Sequence, residues 1–275
     1  MLSRWRDRWR VVRSMAAFSN PVELILTKLI SRDNVVVYQR GPFRLVSFES
    51  CGDGTSIREC LQENAYDPAL RAVKASGHAR TYVNIGANVG AFDVAVHHRW
   101  GPGTKGIAIE MNPWTCARLA SNLHFNRLDT RVIAAAVAGA AGTTEIDVTR
   151  SGPAQSLYQS KGAEADRVAV RVVRLADIPN PIESDAVDLL KVDCEGAEYD
   201  IFRQATPAEL RRFRFIVVEV HIRQVGGDSR GDALIQEICE KGDYEATELR
   251  RAVDARLVLF TPRQVAPLDP SPGRK

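Results

Sequence analysis

The stretch TYVNIGANVG, residues 81–90, constrains the fold of this chain more than any other. The run from Thr81 to Ile85 is β-branched and aromatic, which is typical of a strand buried on both faces of a sheet. Gly86 permits a sharp turn and the close approach of a ligand to the backbone. Gly90 opens a segment with helical spacing of apolar residues, and the free N–H groups at a helix start suit a polar or anionic group. The stretch predicts a strand, a tight turn and a helix.

The spacing of the two glycines bears on which ligand the turn could hold. It is G-x-x-x-G with Asn88 between the glycines, whereas the dinucleotide fingerprint is G-x-G-x-x-G. Asparagine tolerates the left-handed region, so the turn is allowed, but a pyrophosphate cradle is disfavoured. Glu110 ends the next apolar strand, residues 106–110, where open α/β folds hold a ribose by its hydroxyls. Glu110 is either that ribose ligand or a solvated loop residue.

Strands and helices alternate from Arg80 onward, which predicts parallel strands joined by crossover helices. Between residues 139 and 178 the alternation stops, and the pattern there predicts antiparallel strands joined by turns. EATEL and RLVLF are predicted to close the sheet as a final hairpin. We expect a helical and β-hairpin extension over residues 1–75, a main α/β domain over 76–265 and a disordered tail over 266–275.

Composition excludes several classes of protein. A net charge of +3 over 275 residues is too small to indicate nucleic-acid binding. Five scattered cysteines without a C-x-x-C motif are typical of a reduced, cytoplasmic protein and predict no zinc site. No apolar run reaches the roughly 20 residues of a membrane span.

The N-terminus is compositionally unusual, because residues 1–13 hold five arginines against one aspartate. Trp5 and Trp9 fall on one face of a predicted helix. Such a basic amphipathic helix can make weak contact with an anionic membrane surface. The alternative is that its tryptophan stripe packs on its own domain or on a second subunit. The sequence does not indicate an oligomeric state.

A cluster of charged residues follows the later strands. The segment KVDCEGAE places Asp193 and Glu195 on alternate positions at the end of a strand, and FRFIVVEVH does the same with Glu219 and His221. Open α/β sheets form their ligand crevice at the carboxyl ends of their strands. The four residues therefore predict the lining of an active site, and a structural ion-pair network is the alternative.

At this point the sequence resembles a known family. TYVNIGANVG, IAIEMNP, the HFN of residues 124–126, AAAVAGAAGTTEI, VRLADI, LLKVDCEGAE and FIVVEVH occur in the order and spacing of FkbM-type methyltransferases, which use S-adenosylmethionine. The resemblance covers about residues 60–222 and also includes the ENAYDP stretch, residues 63–68. It implies a class I methyltransferase-like Rossmann fold, with a mostly parallel seven-stranded sheet, a C-terminal antiparallel hairpin and the N-terminal extension.

The resemblance also implies roles for particular residues. The turn would wrap the methionine and ribose parts of the cofactor, Glu110 would hold the ribose hydroxyls, and the residues after the second and third strands would contact the adenine. The implied cofactor-binding residues are Asn84, Gly86, Ala87, Asn88, Gly90, Glu110, Met111, Ala136 and Val137. Two positions depart from the family pattern: Asn84 stands where aspartate is common, and Ala176 stands where the first aspartate of a leucine-aspartate pair is expected.

The implied reaction is O-methylation of a hydroxyl on a small molecule, a sugar or a glycolipid, with His221 or Asp193 as the general base. Glu195 and Glu219 complete the predicted catalytic set. The carboxylates could instead hold a divalent metal that orients a diol, although we predict no metal site. Two other functions remain open: an NAD-dependent oxidoreductase, which the glycine spacing disfavours, and a non-catalytic cofactor-binding scaffold. The acceptor itself is not readable from the sequence.

Overall fold

The computed structural model describes residues 15–30, 35–148, 167–184, 186–222 and 227–263. The predicted helix over residues 1–13 and the predicted tail over 266–275 lie outside the described residues. No helix in the described part is long and apolar enough to cross a bilayer.

The N-terminal part forms helix α1 (Pro21–Ile30), strands β1 (Val35–Arg40) and β2 (Phe43–Phe48), and helices α2 (Asp53–Leu61) and α3 (Asp67–Ala75). Strands β1 and β2 pair antiparallel across Gly41, as the predicted hairpin. Helix α3 begins at Asp67-Pro68, with the proline in its first turn. Proline fits the first turn of a helix because that turn leaves N–H groups without an intrahelical partner.

The rest of the chain forms, in order, β3 (Thr81–Ile85), α4 (Ala91–Trp100), β4 (Lys105–Glu110), α5 (Pro113–Phe125), β5 (Thr130–Ala134), β6 (Ala136–Val137), β7 (Gly142–Asp147), β8 (Arg167–Val173), β9 (Val187–Val192), α6 (Glu198–Gln204), α7 (Pro207–Arg211), β10 (Phe213–His221), α8 (Asp228–Gly242), β11 (Tyr244–Arg251) and β12 (Ala255–Pro262).

Seven strands make the main sheet, in the order β11-β12-β10-β9-β3-β4-β5. The pairs from β10 to β5 are parallel, and β12 runs antiparallel to both β10 and β11. Strands β3 and β9 are buried at every position, as expected where apolar layers cover both faces. This arrangement confirms the predicted fold class.

The apolar run RVIAAAV, residues 131–137, reads as one strand, but the structure divides it between two sheets. β5 ends at Ala134, and β6 joins a three-stranded sheet in the order β6-β8-β7. The N–H of Ala135 donates to the carbonyl of Glu110, and beyond it the chain leaves the main sheet. The short run of alanines carried no signal for that change of partner.

Two asparagines on α5 dock the hairpin on the main domain. The side chain of Asn122 accepts from the N–H of Val46 at 2.8 Å and donates to its carbonyl at 3.0 Å. Asn126, one turn later, makes the same pair of bonds to the backbone of Arg44. The free edge of β2 is thus bonded to side-chain amides instead of to another strand.

Candidate active site

The turn after β3 requires glycine at position 86. Gly86 has a φ of +74°, and a Cβ built there would lie 1.8 Å from the carbonyl oxygen of Asp193. Asn88 is also left-handed, with a φ of +49°. The N–H groups of Gly86 and Ala87 donate to the carbonyl of Ile109 at 3.0 and 2.9 Å. The turn is therefore pinned to the end of β4 and lies against the end of β9.

Glu110 faces this turn. Its Oε2 accepts from the N–H of Asn88 and its Oε1 from the N–H of Asn112, both at 2.9 Å. Burial raises the pKa of Glu110, and these two backbone hydrogen bonds oppose that rise. The backbone of Met111 adds a further hydrogen bond to this carboxylate. A carboxylate offers about four acceptor sites, so Glu110 keeps acceptor capacity for a ribose hydroxyl.

Asn84, where the family pattern has aspartate, is bonded to a buried carboxylate. The side-chain amide of Asn84 donates to Oδ2 of Asp93 at 2.8 Å, and the hydroxyl of Tyr82 donates to Oδ1 at 2.9 Å. Burial raises the pKa of Asp93 to about 6. Asp93 lies in the first turn of α4 and holds the Asn84 side chain in place from beneath the turn. The Oδ1 atoms of Asn84 and Asn88 are buried and have no hydrogen-bond partner among the described residues.

A cleft opens beside the turn at the carboxyl ends of β3, β4 and β9. The predicted cofactor residues that line it are Gly86, Asn88, Glu110, Met111, Ala136 and Val137. Asn84, Ala87 and Gly90 are buried and shape the turn without lining the cleft. The turn and the cleft offer amide oxygens without a partner among the described residues, acceptor capacity on Glu110 and a glycine at which no side chain could fit. A nucleoside that carries an ammonium group requires such groups. The residues present fit S-adenosylmethionine.

Asp193, Glu195 and Glu219 line the other end of the same cleft. The ammonium of Lys191 lies 3.1 Å from Oδ2 of Asp193 and donates to the carbonyl of Gly86 at 2.8 Å. It therefore ties the acidic end to the glycine turn. Burial, and then the charges of Asp193 and Glu59, raise the pKa of Glu219 to about 8.

His221 is buried just behind these carboxylates and is not among the residues that line the cleft. Its Nδ1 lies 3.0 Å from Oε1 of Glu198, which also accepts from the His221 N–H at 2.9 Å. Its Nε2 lies 3.4 Å from Glu195 and 4.0 Å from Asp193. Burial lowers the pKa of His221, but the hydrogen bond and charge of Glu198, helped by Asp193 and Glu195, outweigh burial and raise it to about 10. The imidazole is accordingly held as a cation.

A metal ion could use part of this cluster. One ligand atom from each of Asp193, Glu195 and His221 lies within 4.8 Å of the others. The imidazole of His221 also forms ion pairs with both carboxylates, so ion pairing alone explains why the three groups lie together.

Two residues of this region were missed by the sequence analysis. Tyr66 lies in the quoted ENAYDP stretch, and its hydroxyl is 3.5 Å from both Asp193 and Glu219. Glu198 lies in the quoted KVDCEGAE segment, at the start of α6 and fully buried. A glutamate buried in the first turn of a helix, three residues after another glutamate, is a readable signal for Glu198. Nothing local marks Tyr66, because its partners lie more than 120 residues away.

Solved structures of methyltransferases are similar to this chain. Precorrin-6y C5,15-methyltransferase from Geobacter metallireducens is 13% identical, over 67% of this chain and 80% of its own, with a TM-score of 0.40. Aeropyrum pernix fibrillarin, solved with natively bound S-adenosylmethionine, is 12% identical over 66% of each chain, with a TM-score of 0.40. TYW2 from P. horikoshii, solved with MeSAdo, is 12% identical over 84% of this chain and 72% of its own, with a TM-score of 0.43. A search of curated proteins found no match.

The family comparison is decisive. A family model described as the methyltransferase FkbM domain matches residues 84–245, which is more than half of the chain. The match runs from the glycine turn past both acidic strand ends. It confirms the predicted family, with methyl transfer as the reaction and S-adenosylmethionine as the cofactor. This chain belongs to the FkbM methyltransferase family.

Proposed function

We propose that the chain methylates a hydroxyl oxygen on a small molecule, a sugar or a glycolipid. The observation that supports this proposal is a single cleft with a nucleoside-fitting end and an acidic end. Gly86 and Glu110 line one end, and Asp193, Glu195 and Glu219 line the other. A hydroxyl must lose its proton when its oxygen is methylated, and a carboxylate at the reacting centre can take that proton.

The cofactor would be held mainly by the glycine-turn end. The free acceptor capacity of Glu110 would receive the ribose hydroxyls, and the amide oxygen of Asn88 would receive an N–H or O–H donor of the amino-acid or ribose part. Met111 and Val137 would flank the adenine. When bound, S-adenosylmethionine supplies an electrophilic methyl group, so the protein mainly has to position the acceptor.

Asp193 is the residue to which we assign the general base. It lines the cleft, and the ammonium of Lys191 and the hydroxyl of Tyr66 both contact its Oδ2 atom. His221 is the weaker of the two bases considered, because it is buried behind the carboxylates and already holds a proton. We assign it a positioning role, in which it orients Asp193 and Glu195. Glu219 shares Tyr66 with Asp193 and completes the acidic end.

The first test concerns the cofactor and uses the purified full-length chain. Calorimetry should show binding of S-adenosylmethionine and S-adenosylhomocysteine and none of NAD. NAD binding in place of these ligands would support the oxidoreductase alternative.

The second test concerns the acceptor. An extract of the source cells is incubated with the protein and methyl-labelled S-adenosylmethionine, and the labelled product is identified by mass spectrometry. We expect an O-methyl ether on a small molecule, a sugar or a glycolipid. Label on nitrogen or carbon would overturn O-methylation, and tight cofactor binding with no labelled product from any extract would favour the non-catalytic scaffold.

A further inference from the structure

A second cavity lies on the far side of Tyr66 from the cleft, between the β1-β2 turn, α3 and α4. We propose that this cavity is a ligand site for an amphipathic anion, a small molecule with one carboxylate or phosphate on an apolar body. The group that would recognise the anion is the guanidinium of Arg40, the last residue of β1, which lines the cavity.

The guanidinium of Arg40 lacks an acceptor among the described residues. Its side chain makes no hydrogen bond and no ion pair with any described residue, and its Nη1 atom is buried without a partner. A buried donor without an acceptor costs about 1–3 kcal/mol, and more when the group is charged, so such groups generally mark an unseen partner. A guanidinium pairs best with a planar or tetrahedral oxyanion that accepts two of its N–H groups.

The other charges around the cavity do not meet this need. Asp67 is the acidic residue in the lining, and it is already bound by two arginines: Arg71 at 2.6 Å and Arg99, which also donates a hydrogen bond to it. The described lining therefore holds three arginines against one carboxylate, with His98 beside them. The excess of positive charge favours an anionic ligand over a neutral one.

Apart from Asn64, the remaining wall of the cavity is mostly apolar. Leu61, Leu70 and Val94 are buried residues that contribute to it, and Phe43 stands at its rim against His98, with the two ring centroids 5.6 Å apart. An ion with no carbon skeleton would leave this surface bare. A ligand with an apolar body would cover it, at roughly 25 cal/mol for each Å² of apolar surface removed from water.

Tyr66 separates the proposed site from the cleft. Its side chain lines the cavity, whereas its hydroxyl reaches Asp193 and Glu219 in the cleft. Within the described part of the chain, no residue that lines the cavity also lines the cleft. Binding at Arg40 should therefore not compete with the cofactor, and the proposal does not depend on the proposed acceptor.

The test uses sodium octanoate and octyl phosphate as probes and 1-octanol as the uncharged control, with calorimetry on the full-length protein. We expect at least one of the anions to bind the wild-type protein, and Arg40→Met to weaken that binding at least about tenfold. Octanol should bind both proteins equally weakly. Arg44→Met is the matched control, because Arg44 is an exposed arginine of the same hairpin outside the cavity lining. It should leave the affinity unchanged.

Folding does not confound this test. Arg40 has no bonded partner among the described residues, so Arg40→Met removes no interaction and keeps an apolar stem of similar length. Its melting temperature should equal or exceed that of the wild type, and Arg40→Gln provides a second, polar variant with the same expected loss of binding. The proposal is overturned if neither anion binds at about 10 mM, if Arg40→Met binds them as well as the wild type, or if saturating S-adenosylhomocysteine displaces them.

Discussion

At the glycine turn the groups that hold the cleft in shape are mostly backbone atoms, whereas at the acidic end they are side chains. Gly86 and Ala87 are fixed by N–H bonds to Ile109, and Glu110 is fixed by two more N–H donors. At the acidic end, by contrast, charged groups such as Glu219 and His221 balance one another, and their pKa values are strongly shifted. The glycine turn is therefore fixed by chain geometry and tolerates few changes of shape. The acidic end is fixed by charge and tolerates few changes of ionisation.

The largest effect should come from a substitution that removes a charge at the acidic end and keeps the shape of the side chain. Asp193→Asn should lower the rate of methyl transfer by about 10²–10⁴-fold, because an amide cannot accept the proton of the acceptor hydroxyl. Affinity for S-adenosylmethionine should change by less than about tenfold, since Asp193 is not part of the nucleoside end. Transfer rates with labelled cofactor and calorimetry measure the two quantities. Unaltered turnover would remove Asp193 from the mechanism.

The converse change alters shape without charge at the glycine turn. Gly86→Ala places a Cβ against the Asp193 carbonyl at a positive φ, and we expect a loss of about 3 kcal/mol of unfolding free energy and at least about 100-fold in cofactor affinity. Urea denaturation and calorimetry provide the readouts. Gly103→Ala is the control: Gly103 also has a positive φ, of +85°, but no atom of the described residues lies within 4 Å of the added Cβ. Equal losses in both variants would show that backbone strain alone is responsible.

Removal of Glu198 tests whether the acidic end depends on charge balance. Glu198→Ala leaves the buried His221 imidazolium without its main partner, and we expect a loss of about 3 kcal/mol in unfolding free energy. Glu237→Ala breaks a half-buried ion pair to Lys241 on one helix face and should cost less than about 0.5 kcal/mol. Urea denaturation of both variants at neutral pH gives the comparison. A similar small loss for Glu198 would mean that the imidazole is held by packing.

A smaller effect should separate the ribose ligand from the rest of the glycine-turn end. Glu110→Gln replaces one acceptor oxygen by an N–H₂ group that opposes a backbone N–H, so S-adenosylmethionine affinity should fall about tenfold. The wild type should also prefer adenosine to 2′-deoxyadenosine, and the variant should lose that preference. If the variant retains it, Glu110 does not bind the ribose.

The last effect is a pH dependence of stability and concerns Asp93, whose folded-state pKa is raised to about 6 by burial. Its carboxyl binds a proton more tightly folded than unfolded, where its pKa is about 4. The unfolding free energy of the wild type relative to Asp93→Asn should therefore be largest below pH 4 and fall by about 1 kcal/mol per pH unit between pH 4 and 6. Urea denaturation across this range measures the difference. A difference that rises with pH would show that the ionised carboxylate is the favoured partner of Asn84.

The sequence predicted those parts of the molecule that depend on local pattern. The strand and turn at Thr81–Gly90, the acid at Glu110 and the alternating charges after β9 and β10 all lie where periodicity and turn chemistry place them. Parallel strand ends meet at one sheet edge, so four candidate side chains could be brought together without knowledge of any long-range contact.

The remainder depends on contacts between distant segments. Tyr66 reaches the acidic end because α3 packs beside α4, and the side chains of Asn84 and Asp93 are hydrogen-bonded across the turn. The exchange of sheets at Ala135 likewise depends on which strand edge is free. Local propensity carries no information about any of these, because each is decided by tertiary packing.

The asparagine bonds between α5 and the hairpin have a consequence for how the chain resists aggregation. An exposed strand edge is a template for pairing with another molecule, and proteins generally blunt it with charge, proline or a covering element. Here Asn122 and Asn126 occupy the outward N–H and C=O groups of β2 at Val46 and Arg44. Replacing both Asn122 and Asn126 by alanine would leave these backbone groups of β2 without partners, so we expect the double variant to be less soluble than the wild type even where its core is intact.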